Sequence, residues 1–428
     1  MRTVRVGLIG LGTVGSGVVE ILHRHGEDFR RRAGVDIQLV KFADRNTARF
    51  ADLGLAPEQC VTEAQAVIDD PSIDVIIELI GGTGIAREVV LSALGAGKSV
   101  VTANKALLAS HGEEVMAAAE ANGVDILFEA SVGGGIPIIG PLKHSLTSNE
   151  IQTVMGIVNG TTNYMLTRMG EDGLDYDTAL AEAQAKGFAE ADPTADVDGL
   201  DAAAKIAILS SIAFNSRVVM PQVPAEGIRS LAPEDISYAR EMGYTIKLLA
   251  IARRTPTGVD VRVHPTMIPS THPLASVNGV YNAIYVVGDA VGETMFFGEG
   301  AGSLPAASAV VGDLIEEARR LQTDCAPLVG CTCTEKLPVR DIAELVSEYY
   351  IRLAVADKTG VLAAVATVFG NHGVSIGSVI QKRAEGGLAQ IVYVTHQARE
   401  ADVRSALAEI EALDVVNGIA SVIRVEEL

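Results

Sequence analysis

Residues 4–10 read VRVGLIG, a near-continuous apolar run ending on glycine; Gly10-Leu-Gly12-Thr-Val-Gly15 follows, and then the amphipathic stretch SGVVEILHRHG. A buried strand, a glycine turn and a helix in that order leave few choices of fold. They open an α/β domain built on a parallel sheet, and the turn suits a dinucleotide. Gly10 permits the tight turn, Gly12 lets a pyrophosphate approach the backbone, and Gly15 lets the helix pack close to the strand. The first amides of the helix, at Thr13 and Val14, supply donors for phosphate charge.

The next strand, VDIQLVKFAD, ends on Asp44 and is followed by Arg45. An acid there accepts hydrogen bonds from the adenosine ribose of NAD, whereas an adjacent arginine pairs with the 2′-phosphate of NADP. The two signals conflict, so the cofactor reads as NAD or NADP. Asp44 also lies further from the glycines than the usual ~20 residues, because the basic segment EDFRRRAG lengthens the intervening helix or loop. Strands and helices then alternate: DVIIELIGG at 74–82, the helix IAREVVLSALGAG, the strand SVVTA, a helix from Leu107 to about Ala121, and the strand VDILFEA. This alternation predicts a Rossmann-type, doubly wound sheet with ligands at the carboxyl ends of its strands. Ile80, Gly81 and Gly82 line the expected cofactor cleft at one such end. Thr102, Ala103 and Lys105 do so at another, with the lysine directed toward the nicotinamide.

After Glu129 the cluster Gly133-Gly134-Gly135 and Pro137 break regular structure, so the first domain is expected to span 1–130. Bare carbonyls at that turn, with Glu129 beside them, could hold a monovalent cation; a plain flexible hinge explains the same residues. A mixed α/β catalytic and dimerisation domain is expected over 131–300, with a strand IQTVMGIV, a turn NGTTN leading into the helix YMLTRMG, and strands near 246–253, 259–267, 283–288 and 293–297. Its centre is Ala183 to Lys205, AQAKGFAEADPTADVDGLDAAAK, where Glu190, Asp192, Asp196, Asp198 and Asp201 gather around Lys205. The preceding helix should stop at Gly187, a residue suited to a left-handed cap, and Pro193 should keep the residues after it out of helix. A second helix with Asp198 as N-cap would put Asp201 at its third position and Lys205 one turn further on the same face. Capping and an ordinary Asp–Lys pair explain those three residues. They leave Glu190, Asp192 and Asp196, which look like a cage for a cation such as a substrate ammonium.

Late in the chain, GEGAGSLPAASAVVGDLIEEARR is another glycine loop, around Gly302, opening a helix that is expected over 301–322 to return to the first domain. A linker follows over 323–346 and contains Cys325, Cys331 and Cys333; no fourth cysteine or nearby histidine completes a metal knuckle. Residues 347–428 read as strand, helix, strand, strand, helix, strand, the ferredoxin-like βαββαβ plan. Acids outnumber bases 54 to 34, a net charge of -20, which disfavours nucleic acid and anionic membranes as partners. No apolar run approaches the ~20 residues that span a bilayer, and no cleavable signal pattern is present, so a cytoplasmic protein is expected.

Taken together these motifs make the chain similar to monofunctional homoserine dehydrogenases with a C-terminal ACT domain. The stretch Ala183 to Lys205 fits the family signature A-x3-G-F-A-x2-D-P-x2-D-V-x-G-x-D-x3-K without a gap, and GLGTVG, TANKALLA, EASVGGGIPII, NGTTNYML and GAGSLPAASAV support it. The resemblance implies reversible NAD(P)-dependent hydride transfer between L-homoserine and L-aspartate 4-semialdehyde, in threonine, methionine and isoleucine biosynthesis. It implies Lys205 as general acid/base, with Lys105 supporting proton transfer, and burial is then expected to depress the lysine's pKa. Glu190 and Asp201, with Asp196 close by, would bind the substrate ammonium, and Gly160-Thr161 its carboxylate. Gly187 and Gly302 join the cofactor candidates. A sodium ion would be held by the Glu129 side chain and the carbonyls of Val132, Gly134 and Ile136. In the ACT domain, Asp357, Gly360, Val361 and Leu362 form the expected turn for an amino-acid effector, L-threonine acting by feedback inhibition, with Asn371 and Ile376 contributing. Side-by-side pairing of such domains implies a homodimer or homotetramer.

Two other readings compete. A semialdehyde dehydrogenase that acylates a cysteine shares the two-domain plan but needs a thiolate in the catalytic domain, and no cysteine occurs between Cys60 and Cys325. A non-catalytic sensor of NAD and amino acids would keep the motifs without turnover.

Overall fold

The computed structural model describes residues 2–323, 325, 330–382 and 388–426. The chain divides into two compact units: the first gathers everything up to Val154 with Ala204–Gln222 and Asn282–Leu337, and the second holds Met155–Ala203, Val223–Tyr281 and the chain from Pro338 onward.

The first unit is built on a six-stranded sheet of β1 (Thr3–Ile9), β2 (Asp36–Ala43), β3 (Cys60–Val61), β4 (Val75–Glu78), β5 (Ser99–Thr102) and β6 (Ile126–Leu127), in the order β3-β2-β1-β4-β5-β6. All its pairings are parallel. A parallel sheet is covered on both faces, which is why VRVGLI and VIIE are apolar without alternation. The chain steps outward from β1 to β3 and then crosses back to β4, so the order reverses at the carboxyl ends of β1 and β4, where ligands bind in such sheets. The core under the sheet joins Val4, Val6, Leu8, Val18, Val75 and Ile77 to Val310 and Leu314 from the late helix Ser303–Thr323. That helix lies on the first one, Thr13–Arg32: the Ser303 hydroxyl donates to the Thr13 carbonyl at 2.6 Å, and a Cβ on Gly17 would sit 2.7 Å from the Ser303 carbonyl oxygen.

Three expectations change in this unit. The helix expected from Leu107 starts at Lys105 and runs to Asn122, because Asn104 caps it by accepting from the Leu107 amide at 3.1 Å. The strand VDILFEA is cut to Ile126–Leu127; the Glu129 amide donates to Asp313 at 2.8 Å, and Glu129–Ser131 curls into a 3-10 turn. The glycine cluster is a tight crossing and not a slack hinge. A Cβ on Gly134, whose φ is +57°, would lie 2.5 Å from the Gly300 carbonyl oxygen.

β7 (Ile151–Ile157) carries the chain into the second unit, where β8 (Tyr244–Thr255) and β9 (Gly258–Pro269) pair antiparallel along their whole length. β10 (Tyr281–Gly288) and β11 (Gly292–Glu299) come next in the chain and, from Asn282 on, belong to the first unit. The C-terminal module of the second unit has β12 (Val346–Ala356), β13 (Ile376–Lys382), β14 (Leu388–Thr395), a two-residue β15 (Ala398–Arg399) and β16 (Val416–Val425), with helices Val361–Asn371 and Glu400–Glu411. Its strand order β16-β12-β14-β13, all antiparallel, is the expected ferredoxin-like plan. The alternate inward residues Tyr349, Ile351, Leu353 and Val355 of β12 pack on Val365, Phe369, Val403 and Ile410 of the two helices. β16 also joins β9 in parallel, through Arg424 opposite Thr266 and Val425 opposite Met267. Within the same unit the fully buried Asp235, on the helix Pro233–Glu241, takes a fork from Arg352 of β12 at 2.6 and 3.0 Å and a hydrogen bond from the Tyr350 hydroxyl at 3.0 Å.

Of the linker expected over 323–346, residues 324 and 326–329 lie outside the described residues. Among the described residues no helix is long and apolar enough to cross a membrane.

Candidate active site

The three glycines after β1 are required for three different reasons. Gly10 has φ +100°, and a Cβ there would lie 2.7 Å from the Leu79 carbonyl. At Gly15 a Cβ would meet the Gly10 carbonyl oxygen at 2.1 Å, whereas at Gly12 it would meet nothing within 4 Å. Gly12 thus leaves an open approach to the backbone just before the helix Thr13–Arg32, whose N-terminal amides have no side-chain cap. Unfilled donors at a helix N-terminus are a ready site for a pyrophosphate. Asp44 braces this loop, accepting from the Leu11 amide at 2.6 Å and the Asn46 amide at 2.8 Å. Two of a carboxylate's roughly four acceptor positions are then used, which leaves room for ribose hydroxyls. Arg45 is exposed beside it.

Glu78, at the end of β4, was not among the sequence candidates, yet it organises the neighbouring strand ends. It is fully buried and accepts from the amides of Ile80 and Gly81 at 2.7 and 3.1 Å and from the Thr102 hydroxyl at 2.7 Å. Thr102 Oγ1 in turn accepts from the Asn104 amide at 3.0 Å, and the Asn104 side chain donates to the Gly82 carbonyl at 2.8 Å. One buried carboxylate therefore fixes the Gly81 turn, Thr102 and Ala103, and through Asn104 the helix that Lys105 opens. An acid inside the apolar run DVIIELIGG was the available signal.

In the second unit the acidic stretch is ordered differently from the expectation. Tyr176–Ala185 is followed by Gly187 at φ +75°, as expected for a left-handed cap. Pro193 does not exclude helix; it precedes a short one, Thr194–Val197, a position where its missing N–H costs nothing. Asp198 is not the N-cap of the next helix. Gly199, at φ +79°, separates the two helices, Leu200–Ala213 begins after it, and the Asp198 carboxylate pairs with Arg229. Asp201 is consequently the second helical residue and not the third, with Lys205 still one turn later on the same helix.

The carboxylates do not all converge. The Thr194 side chain, together with its amide, which donates to Asp192 at 3.1 Å, holds the Asp192 pKa below the usual carboxylate range, and Glu190 is exposed. Asp196 and Asp201 do meet, through a residue the sequence reading passed over. Asn159 is buried, its Nδ2 donates to Asp196 at 2.7 Å and to Asp201 at 2.9 Å, and its Oδ1 caps the helix Gly160–Asp172 by accepting from the Thr162 amide at 2.9 Å. Gly160 and Thr161 are thus the first helical turn and not a preceding loop. The Thr161 hydroxyl donates to the Phe188 carbonyl at 2.6 Å, next to Gly187. Lys205 is buried.

Glu129 accepts from three consecutive amides, those of Ile138, Ile139 and Gly140, at 2.6 to 2.8 Å. That leaves about one acceptor position of its carboxylate, with Val132, Gly134 and Ile136 buried nearby in sequence. In the C-terminal module the six effector candidates fall at two ends. Gly360, at φ +91°, caps the helix Val361–Asn371 next to Asp357, while Asn371 ends that helix, roughly 16 Å away at 1.5 Å per residue. Ile376 pairs with Thr395, at the opposite end of β14 from the Leu388 that faces Ala356. One chain therefore does not bring Asp357, Gly360, Val361 and Leu362 together with Asn371 and Ile376.

Comparison with known proteins matches residues 137–315 to the family described as homoserine dehydrogenase, 10–129 to its NAD binding domain, and 349–415 to the ACT domain. A homoserine dehydrogenase of Synechocystis is 48% identical over 99% of both chains. The chain belongs to the homoserine dehydrogenase family. A homoserine dehydrogenase structure from Thiobacillus denitrificans superposes with a TM-score of 0.95 at 44% identity, covering 100% of this chain and 99% of that one. A hyperthermophilic archaeal homoserine dehydrogenase in complex with NADPH is 28% identical, with a TM-score of 0.65 over 77% of this chain and all of that one. Membership makes the chain an NAD(P)-dependent oxidoreductase with a C-terminal ACT domain.

Proposed function

We propose that the chain interconverts L-homoserine and L-aspartate 4-semialdehyde, in the biosynthesis of threonine, methionine and isoleucine. The observation that carries this reading is the single amide of Asn159 tying Asp196 and Asp201 together, one helical turn before the buried Lys205. Two carboxylates drawn to one neutral donor gather negative charge at one place, which suits an ammonium. Asp196, Asp201 and Glu190 hold that ammonium, and the helix N-terminus at Gly160 and Thr161 faces the substrate carboxylate. Lys205 takes the proton from the substrate hydroxyl in one direction and returns it in the other, with Lys105 assisting. Gly10, Gly12, Thr13, Val14, Gly15, Gly81, Thr102, Ala103, Gly187 and Gly302 would hold the nicotinamide cofactor, which would supply the hydride acceptor. Asp44 favours a free ribose and Arg45 a 2′-phosphate, so the cofactor is NAD or NADP, and the NADPH complex of the archaeal relative supports a nicotinamide cofactor.

A sodium ion fits the remaining acceptor position of Glu129 together with the carbonyls of Val132, Gly134 and Ile136, where it would stiffen the glycine crossing. The ACT module binds L-threonine. Because its two sets of candidate residues lie at opposite ends of the module, a second copy of the chain completes the effector site, which makes the protein a homodimer or homotetramer.

Lys205→Met tests the assignment. It should lower kcat by about 10²- to 10⁴-fold, the usual worth of a positioned acid/base group, with nicotinamide and homoserine binding retained by calorimetry. Turnover within threefold of wild type, or binding lost together with turnover, would remove Lys205 from the role.

A further inference from the structure

The short segment 224–228 connects two parts of the second unit that sequence does not link. It lies along the edge of β9: the Glu226 amide donates to the Val263 carbonyl at 2.8 Å and the Val263 amide to the Pro224 carbonyl at 2.9 Å. One residue on, Gly227 presses against the end of the helix Thr194–Val197. A Cβ there would lie 2.0 Å from the Val197 carbonyl oxygen and 2.5 Å from the Asp198 Cα, and the Ile228 amide donates to that same carbonyl at 2.9 Å. Gly199, directly after, would place a Cβ 3.1 Å from Val263 and 3.5 Å from the Glu226 carbonyl oxygen. The helix carrying Asp196 therefore rests on this segment with no clearance.

The Glu226 side chain is held by the C-terminal module. Its two oxygens take the Arg424 fork at 2.7 and 2.8 Å. Arg424 is buried on β16 and donates equally to Glu400 at 2.7 and 2.8 Å, so it bridges the strand and the helix Glu400–Glu411 of the ACT module to Glu226. Its neighbours raise its pKa, and it remains charged throughout. Bidentate guanidinium–carboxylate pairs fix geometry as well as charge. The connection thus runs from the ACT strand β16 through Arg424 and Glu226 to Gly227, Val197 and Asp196.

We infer that Glu226 and Gly227 are positioning residues for Asp196, and that Arg424 makes the placing of Asp196 depend on the ACT module. This rests on the reading of Asp196 as a ligand of the substrate ammonium. Glu226 is half-exposed, and Arg424 keeps Glu400 when Glu226 is removed, so Glu226→Ala leaves no orphaned buried charge.

The test is steady-state kinetics on the full chain, varying L-homoserine and the nicotinamide separately, for Gly227→Ala, Glu226→Ala, Glu226→Gln and, as reference, Asp196→Asn. Gly227→Ala should raise the homoserine KM about tenfold or more, a loss of ground-state binding, with the nicotinamide KM within twofold of wild type. Glu226→Ala should act in the same direction, and Glu226→Gln, which keeps an acceptor for Arg424, should recover most of the loss. A merely structural role would lower kcat through lost folded enzyme and leave both KM values alone, and that outcome overturns the inference. If Gly227→Ala does not fold, Glu226→Ala decides. Wild-type homoserine KM in the Glu226 and Gly227 variants but not in Asp196→Asn refutes the positioning role alone; wild-type KM in Asp196→Asn as well refutes the substrate reading and this inference with it.

Discussion

Asn159→Ser separates the two tasks that the structure gives to one side chain. Oδ1 caps the helix Gly160–Asp172 and Nδ2 holds Asp196 and Asp201. Serine caps about as well as asparagine, whereas alanine costs roughly 1 kcal/mol at such a position. Serine cannot reach both carboxylates, so the variant loses hydrogen bonds to charged groups, worth about 1.5–3 kcal/mol each. Some of that is recovered by water and by the other partners of the two aspartates, so the loss corresponds to one such bond. At 1.4 kcal/mol per factor of ten this is roughly a ten- to hundredfold fall in kcat/KM for homoserine. Chemical denaturation should then show both variants losing about 1.5–3 kcal/mol with the carboxylate hydrogen bonds, and Asn159→Ala about 1 kcal/mol below Asn159→Ser for the lost cap, while the two variants lose activity alike. If Asn159→Ser keeps kcat/KM within threefold of wild type, Asn159 does not organise the carboxylates and the reasoning fails. Equal unfolding free energies for the serine and alanine variants would fail it too, because the cap would then contribute nothing.

Other consequences follow from buried charge. Asp235→Ala orphans Arg352 in a buried pair and should cost about 3–5 kcal/mol of unfolding free energy, read by urea denaturation; a loss under 1 kcal/mol would show that the pair is not desolvated. Asp313 is buried beside Glu129, which pushes its pKa well above the usual carboxylate value. A folded pKa above the unfolded one means that the native state binds the extra proton, so Asp313 weakens the fold increasingly as pH rises above about 3.9. Asp313→Asn should therefore raise Tm at pH 7, and its advantage should vanish as pH falls toward 4; a variant less stable at pH 7 than at pH 4, relative to wild type, contradicts the shift.

Much of the plan was legible because it depends on local pattern. The strand, glycine turn and helix at the N-terminus, and the βαββαβ order of the C-terminal module, are periodicities that neighbouring residues declare by themselves. The glycine roles at Gly10 and Gly15 were legible for the same reason. What escaped were the residues whose partners are distant in sequence: Glu78, which reaches Thr102, and Asn159, which reaches Asp196 and Asp201. An asparagine before Gly-Thr-Thr reads as a turn, and nothing local says that its amide faces two acids far down the chain. Asp198 was misplaced because aspartate is a good N-cap, yet Gly199 in the left-handed region ends one helix and starts the next, freeing Asp198 for Arg229. The glycine cluster at 133–135 reads as flexible from composition alone; only the close passage of Gly300 shows why the side chains had to be absent.

The most direct test of the central claim is the initial rate of NAD⁺ and NADP⁺ reduction with L-homoserine at alkaline pH, with and without L-threonine. Homoserine-dependent reduction is expected, inhibited by threonine, with the cofactor ratio weighing Asp44 against Arg45. No reduction with either cofactor, by protein shown to be folded, would contradict the dehydrogenase account and favour a sensor that binds the same ligands without turning them over.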